Sequence, residues 1–526
     1  MQRLVKLNDL VEYFKFFPDN PCSVGDNVVS NVVSDSRQVQ EGDIFFAWKG
    51  GSFDSHRFIA DAVKNGAIAV VGTEELTDPI NVPYFRVEDS RYILAGFAAY
   101  LNDFPAKKMT IIGVTGTDGK TTTTNYIYHI LLAAGIKAGM ISTVNAVIGD
   151  QAIDTGFHVT TPESPQVQEY LQKMVEAGVT HVVLETTSHG LAQQRVAFCD
   201  YDFAVVTNIT HEHLDYHGSY DGYLASKAIL FRYVAENEAE NPSSEHAVIL
   251  NAADRSYETL NEITRNVNQI TYAIDHQADF TAEQIISTES GIDFTLCYQG
   301  NRIPFHTHLK GEFNVWNCLA AIAFAHTGLN LSFEVIQNGL DRVTTLIGRM
   351  DEVDLGQSFR AFVDFAHTPY GLEAALKSGR KLTKKRLIAV FGSAGLRDKM
   401  KRRMMSEISA DLADITILTA EDPRIESLSD ILAEMSQAME DKGKLKNKDF
   451  FVVHDRGEAL KFAVSTAQPG DVVMACGKGH EQSMCFGNTE YPWDEKTALT
   501  AALSLHLGID GPDMPYLPTQ ASDFVS

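Results

Sequence analysis

An apolar run that ends in a glycine-rich turn and a lysine-led helix constrains this chain more than any other feature. Residues 113–122 read Gly113-Val114-Thr115-Gly116-Thr117-Asp118-Gly119-Lys120-Thr121-Thr122. Residues 111–115 before the turn read as a buried strand, and a helical pattern follows over 121–134. Strand, turn and helix in this order are the context of a phosphate-binding loop. Gly116 and Gly119 let the backbone turn tightly, and a helix N-terminus adds partial positive charge. Gly116, Thr117, Asp118, Gly119, Lys120, Thr121 and Thr122 are therefore expected to cradle ATP. Lys120 would reach the terminal phosphates and the Thr121 hydroxyl would ligate Mg²⁺. The general G-x-x-x-x-G-K-[ST] pattern puts its first glycine at 114; here Val114 stands there and Gly113 lies one place earlier.

At 526 residues the chain is too long for one hydrophobic core, and about three domains are expected. Residues 1–106 carry short strand-like runs at 28–33, 44–48 and 68–71 and a helix at 90–101, and Pro105 marks a boundary. Residues 107–345 alternate strand and helix, with strands at 138–142, 181–185 and 203–207, which predicts a parallel sheet covered by helices. The stretch 280–308 alternates polar and apolar residues and reads as inserted antiparallel strands before a helix at 313–327. Residues 346–526 restart the alternation with strands at 359–363, 387–391, 415–418, 450–453 and 472–475, a Rossmann-type sheet. The tail after 509 is rich in Pro, Asp, Ser and Gly and is expected to be poorly ordered.

The net charge of −25 argues against nucleic acid as a partner and requires that anionic ligands be held by local donors. No apolar run approaches the ~20 residues that cross a bilayer, so no membrane role is expected. Residues 1–17 mix charges into their apolar residues and lack a signal-peptide core, which points to the cytoplasm. The six cysteines are scattered without a C-x-x-C pair, which disfavours a structural zinc or a disulfide framework.

Two further runs carry chemistry. In His181-Val182-Val183-Leu184-Glu185-Thr186-Thr187-Ser188 a strand ends in Glu185, at the sheet edge where ligands of open α/β folds collect. A carboxylate there, beside a phosphate loop, suits Mg²⁺. The run Thr210-His211-Glu212-His213-Leu214-Asp215-Tyr216-His217-Gly218 holds three histidines within seven residues. By itself it also fits a zinc site, but no cysteine cluster or H-E-x-x-H helix accompanies it.

The run T-G-T-D-G-K-T-T resembles the phosphate loop of the Mur ligases of bacterial cell-wall synthesis, in which the first glycine is likewise displaced. Residues 212–218 are similar to that family's D-H-L-D-x-H-G, with Glu212 in place of the first Asp. The resemblance implies that Lys120, Glu185, His213 and Lys227 form the catalytic centre. Thr121, Glu185, His213 and a carbamylated Lys227 would hold Mg²⁺. Gly311-Glu312-Phe313-Asn314-Val315-Trp316-Asn317, Gly348-Arg349-Met350 and Asp364-Phe365-Ala366-His367-Thr368-Pro369 match its nucleotide motifs, so that Asn317 would meet adenine, Arg349 phosphate and Asp364 ribose. The implied fold is α/β with three domains: a small α/β UDP-binding domain, a central P-loop ATPase-like parallel sheet with an antiparallel subsheet, and a C-terminal Rossmann-like domain.

Asp35-Ser36-Arg37 and the segment from Gly42 resemble the UDP-binding domain of the family members that add the third residue to the UDP-muramoyl peptide. Ser36, Thr160, Thr161, Thr187, Gln193 and Arg195 are thereby assigned to the UDP-muramoyl peptide, Thr187 standing where the family usually has Ser. Arg397, Glu421, Asp422, Pro423, Arg424, Gly477 and Glu481 are assigned to the incoming amino acid. In meso-diaminopimelate enzymes the selectivity motif reads D-N-P-R, its Arg pairing with the distal carboxylate. Here it reads Glu421-Asp422-Pro423-Arg424. Arg424 favours meso-diaminopimelate, whereas the extra carboxylate of Asp422 would favour an ammonium, so L-lysine or L-ornithine stays open. The implied reaction is ATP-dependent ligation to UDP-N-acetylmuramoyl-L-alanyl-D-glutamate in peptidoglycan synthesis, by a monomer acting on small molecules. A folylpolyglutamate- or cyanophycin-type ligase, or an inactive nucleotide-binding paralogue, is the alternative. Folylpolyglutamate synthases share the loop but lack the N-terminal domain.

Overall fold

The computed structural model describes residues 4–50, 53–143, 145–149, 151–153, 161–210, 212–240 and 245–520. Its three main sheets follow one another along the chain in a three-domain α/β architecture. The first has four parallel strands, Val32–Val33, Ile44–Phe46, Ala69–Gly72 and Tyr84–Arg86, in chain order. Only the last two residues of the strand expected at 28–33 join it. Val28 pairs with Lys6 through a single antiparallel bridge, and Ser30 bonds back to Gly42, so the chain bends before it can extend the ladder. The helix Ser90–Leu101 spans the expected residues, and Asp89 caps it by accepting from the Arg91 and Tyr92 amides.

The central sheet has eleven strands, parallel in the middle and antiparallel at both ends. Thr110–Thr115 lies between Phe203–Val206 and His181–Glu185, with Val114 in register with Glu185. Ile111, Ile112 and Val114 are fully buried. Each such side chain contributes about 1.5–3 kcal/mol of burial. Gly113 and Val114 are both part of this buried ladder, so the displaced first glycine stays in the strand and the turn begins at Gly116. The strands Phe280–Ser287, Ile292–Tyr298 and Asn301–Thr307 form the antiparallel extension expected at 280–308 and continue the same sheet. The helix expected at 313–327 is α-helical over Phe313–Ala323 and widens to a π turn over Phe324–Gly328.

The third sheet has six strands, in the order Asp351–Glu352, Arg360–Asp364, Val472–Cys476, Leu387–Phe391, Ile415–Leu418 and Phe450–Val452. All pair in parallel except the first. Residues 510–520 depart from the disorder expected of the tail's composition. Leu517 is fully buried in this domain's core, Met514 packs against it, and the Thr519 hydroxyl donates to Asp455 at 2.6 Å. One leucine and one hydroxyl fasten residues whose neighbours are polar, which composition alone does not reveal. Among the described residues no helix is long and apolar enough to cross a membrane.

Candidate functional site

The phosphate loop is shaped from below by the end of the neighbouring strand. The Thr117 amide donates to Asn208 O at 2.7 Å and the Asp118 amide to Asn208 Oδ1 at 3.1 Å. The Thr207 hydroxyl and the Asn208 amide both donate to Asp118 O. Those two loop amides are therefore engaged by protein, and the anion-facing donors are the free amides at the start of the helix Lys120–Ala133. Gly119 has φ +84°, and a Cβ there would meet Asn317 Oδ1 at 2.2 Å. Asn317 lies against the loop, its own amide donating to Asn314 Oδ1 at 3.0 Å. Asn314 donates to Lys310 O and does not cap the helix. The Lys120 ammonium donates to Thr117 O at 2.7 Å, and burial lowers its pKa against the pull of Glu185 and Asp118.

Thr121 and Glu185 are brought together: the Thr121 hydroxyl donates to Glu185 Oε1 at 3.1 Å. The Thr143 hydroxyl and amide hold both carboxylate oxygens, at 2.8 and 3.0 Å. Lys227 is buried, and its ammonium donates to Gly116 O at 2.6 Å. Burial, then Lys120, push its pKa well down. Among the described residues no carboxylate pairs with it within 4.0 Å. The His213 ring packs edge-on to His189, with centroids 4.6 Å apart, and burial lowers its pKa. His211 lies outside the described residues. Among the described residues no three His, Cys, Asp or Glu side chains converge as a metal site. Thr121 with Glu185, a hydroxyl plus one carboxylate, is the donor set of a hydrated hard cation.

A cavity of about 200 Å³ gathers most of the sequence-derived candidates. Thr117, Asp118, Gly119, Lys120, Thr121, Glu185, Thr187, His213, Lys227, Arg349, Arg397, Glu421, Asp422, Arg424, Gly477 and Glu481 all line it. A second cavity of about 430 Å³ adjoins it, sharing Asp118, Gly119 and Arg349 and adding Thr122, Asn317, Asp364 and the rings of Phe313, Trp316 and Tyr370. Gly116, Pro423, Thr161, Gln193, Arg195 and Ser36 line neither. Gly116 forms the floor, where a Cβ would strike Thr207 Oγ1 at 1.8 Å. Pro423 braces Gly395, whose Cβ would meet Pro423 O at 2.0 Å. Thr161, Thr187, Gln193 and Arg195 form one network: Thr161 and Thr187 hydroxyls lie 3.0 Å apart, and Arg195 donates to Thr161 O at 2.9 Å and Gln193 Oε1 at 2.7 Å. Thr160 lies outside the described residues. Ser36 sits in the first domain, its carbonyl accepting from Asn65.

The C-terminal domain closes directly over the loop. Arg349 donates to the Thr121 hydroxyl at 3.3 Å and stacks on Phe365. The Thr368 hydroxyl donates to Asp118 at 3.2 Å, and Lys401 lies 3.7 Å from Glu212. Asp364 uses both oxygens on backbone, accepting from Met350 at 2.7 Å and Ala366 at 2.9 Å, so it fixes the segment that carries Arg349. Lys401 and Arg402 are buried.

Two findings revise the reading of the amino-acid end. Asp422 does not present a free negative charge: Lys478 Nζ lies 3.0 and 3.1 Å from its two oxygens. Arg397 and Arg424 have no carboxylate partner within 4.0 Å among the described residues, and burial followed by repulsion from Arg424 lowers the Arg397 pKa. Sequence motifs also missed Arg456. Fully buried, it pairs bidentately with Glu495 and donates to Ala420 O at 3.1 Å and Cys476 O at 2.7 Å. It thus ties together the strand ends that carry residues 421–424 and 477–481. The only signal was an arginine following a capping aspartate, which many helices share.

Glu421 is buried with Oε2 unpartnered, and burial pushes its carboxyl up to about 7 against Arg456, Lys401 and Lys478. An unfolded glutamate titrates near 4.5, so the folded chain holds an extra proton between about pH 4.5 and 7, and stability falls as pH rises through that window. Glu421→Gln is expected to stabilise the ligand-free protein by roughly 3 kcal/mol above pH 7 and to do nothing below pH 4.5. Denaturant midpoints at the two pH values check this.

Comparison with known proteins agrees with the geometry. The Mur ligase family, catalytic domain, matches residues 28–100; the Mur ligase middle domain matches 114–325; the Mur ligase glutamate ligase domain matches 348–479. The chain is 40% identical over 489 residues to the UDP-N-acetylmuramyl-tripeptide synthetase of Roseiflexus sp. (strain RS-1), covering 92% of this chain and 96% of that protein. It is 39% identical over 504 residues to the UDP-N-acetylmuramoyl-L-alanyl-D-glutamate–2,6-diaminopimelate ligase of Geobacillus kaustophilus (strain HTA426), covering 96% and 99%. A solved UDP-N-acetylmuramoyl-L-alanyl-D-glutamate–2,6-diaminopimelate ligase superposes with TM-score 0.64 at 28% identity, over 96% of this chain and 100% of the other. The E. coli FolC structure in complex with ADP, 21% identical with TM-score 0.56, shares the fold over 74% of this chain and 90% of its own. With three consecutive domain matches and relatives aligned nearly end to end, this chain belongs to the Mur ligase family.

Proposed function

We propose that the chain joins meso-diaminopimelate to the D-glutamyl γ-carboxylate of UDP-N-acetylmuramoyl-L-alanyl-D-glutamate at the expense of ATP, in peptidoglycan synthesis. The observation that carries this reading is the cavity in which the phosphate loop, Thr121 with Glu185, and the guanidiniums of Arg397 and Arg424 meet. Two guanidiniums with no carboxylate partner among the described residues and one buried, unpartnered Glu421 oxygen complement an amino acid with two carboxylates and, besides the reacting amine, one ammonium. L-Lysine and L-ornithine have only one carboxylate and would leave one half-buried guanidinium without a carboxylate partner.

In this scheme segments 1–106, 107–345 and 346–526 are the UDP-peptide, ATP and amino-acid domains. Adenine lies in the larger cavity by Asn317, with ribose toward Asp364. The helix amides and Lys120 hold the phosphates, with Arg349 alongside. The UDP end faces the domain of Ser36, and the peptide runs past Thr161, Thr187, Gln193 and Arg195. The γ-carboxylate attacks the γ-phosphate and ADP leaves. The amine then attacks the acyl phosphate carbon and phosphate leaves. Lys120 and Arg349 offset charge that develops on phosphate oxygens, and domain closure keeps water from the acyl phosphate. Mg²⁺, when bound by Thr121, Glu185, His213 and a carbamylated Lys227, supplies Lewis-acid neutralisation of phosphate charge. Burial and the neighbouring Lys120 disfavour the charged form of the Lys227 amine, and the neutral form is the one that reacts with CO₂.

Phosphate release from ATP, the UDP-dipeptide and each of meso-diaminopimelate, L-lysine and L-ornithine tests the reading. Turnover should be highest with meso-diaminopimelate. Preference for lysine or ornithine would reject the substrate assignment, and release with none would reject the ligase assignment. Lys227→Ala should lose most activity and regain part of it with added short carboxylates; a full-rate mutant would remove the carbamate.

A further inference from the structure

The loop Gly477-Lys478-Gly479-His480-Glu481 leaves the strand Val472–Cys476 through two left-handed glycines, Gly477 at φ +109° and Gly479 at φ +50°. Neither position tolerates a side chain: a Cβ on Gly477 would meet Glu421 Oε2 at 2.1 Å, and one on Gly479 would meet Phe365 Cβ at 2.5 Å. Between them Lys478 turns inward and is fully buried. Its ammonium lies 3.0 Å from Asp422 Oδ1 and 2.5 Å from Glu481 Oε2. Asp422 is further fixed by accepting from the Cys485 amide at 2.9 Å. Burial alone would lower the Lys478 pKa, and the two carboxylates outweigh it, so the lysine stays charged.

Asp422 and Glu481 both line the cavity that also holds Arg424. Left uncompensated, two carboxylates would pair with Arg424 or draw an ammonium to that end of the pocket. With Lys478 between them their combined charge falls from two to one, neither pairs with Arg424 within 4.0 Å, and Arg424 remains available. We propose that Lys478 is a positioning residue that sets the charge preference of the amino-acid pocket: by clamping Asp422 and Glu481 it halves the charge of an acidic pair, holds both carboxylates off Arg424 and directs the pocket toward a distal carboxylate. This rests on the ligase reading above, and it accounts for how an Asp can stand beside Arg424 without reversing selectivity. Lys478 reaches no cavity wall itself, so it acts only through its two partners.

The test compares kcat/KM for meso-diaminopimelate and L-lysine in the full-length enzyme, reading their ratio. Lys478→Met should lower the ratio at least about tenfold, mainly by raising KM for meso-diaminopimelate, because two like charges then face the incoming carboxylate. Asp422→Asn should move the ratio the opposite way, since Lys478 is then balanced by Glu481 alone. A purely structural lysine would lower both activities together and leave the ratio unmoved, which overturns the proposal. If Lys478→Met fails to fold, the Asp422→Asn ratio decides: a rise supports the clamp and no change or a fall overturns it. Wild-type protein that turns over neither amino acid overturns the ligase reading and this inference with it. Wild-type turnover with unmoved ratios overturns this inference alone.

Discussion

Lys120→Ala is expected to cut ligase turnover by at least about 10²–10³-fold, the scale of losing one preorganised charge donor at a reacting oxygen. The lysine begins the helix whose first amides are free, and it lines the cavity shared with Glu185 and Arg349. Its loss therefore removes positive charge where phosphate negativity builds. The fold should survive. Among the described residues the ammonium bonds only to Thr117 O, and burial already lowers its pKa, so its removal relieves a desolvation cost. Phosphate release alongside a denaturation curve measures both effects. Near-normal turnover in a folded variant would refute the cradle assignment.

The second large effect concerns stability. Arg456→Ala is expected to destabilise the C-terminal domain by about 3–5 kcal/mol, since it leaves Glu495 buried and unpaired. Glu495 is fully buried and, among the described residues, its carboxylate otherwise accepts only the Trp493 indole N–H, at 2.6 Å. The same change frees Ala420 O and Cys476 O, the strand ends beneath residues 421–424 and 477–481. Urea unfolding followed by tryptophan fluorescence should show an earlier transition, and KM for the amino acid should rise in whatever folded fraction remains. An unchanged midpoint would show that the pair is not the domain's anchor.

Local pattern made most of the fold legible. The strands His181–Glu185, Leu387–Phe391 and Ile415–Leu418 fall where continuous apolar runs place them, because strands buried on both faces need such runs. The phosphate loop was legible because its chemistry is contiguous. What stayed hidden depends on contacts across the chain. The strand expected at 28–33 shortens because Ser30 bonds to Gly42, and the tail is held by Leu517 in a core assembled elsewhere. Asp422 read as a free charge because its partner Lys478 is 56 positions away. Asp118 read only as a loop residue, whereas Thr368, 250 positions on, bonds to its carboxylate and links loop to lid. In each case a charge or a polar atom takes its meaning from a partner that no local window contains.

The most direct measurement is a crystal structure of the protein with a non-hydrolysable ATP analogue. The β- and γ-phosphates should sit on the amides opening the helix Lys120–Ala133, with adenine in the cavity lined by Asn317 and Trp316. A nucleotide bound elsewhere, with the turn at 116–121 carrying no phosphate, would contradict the account.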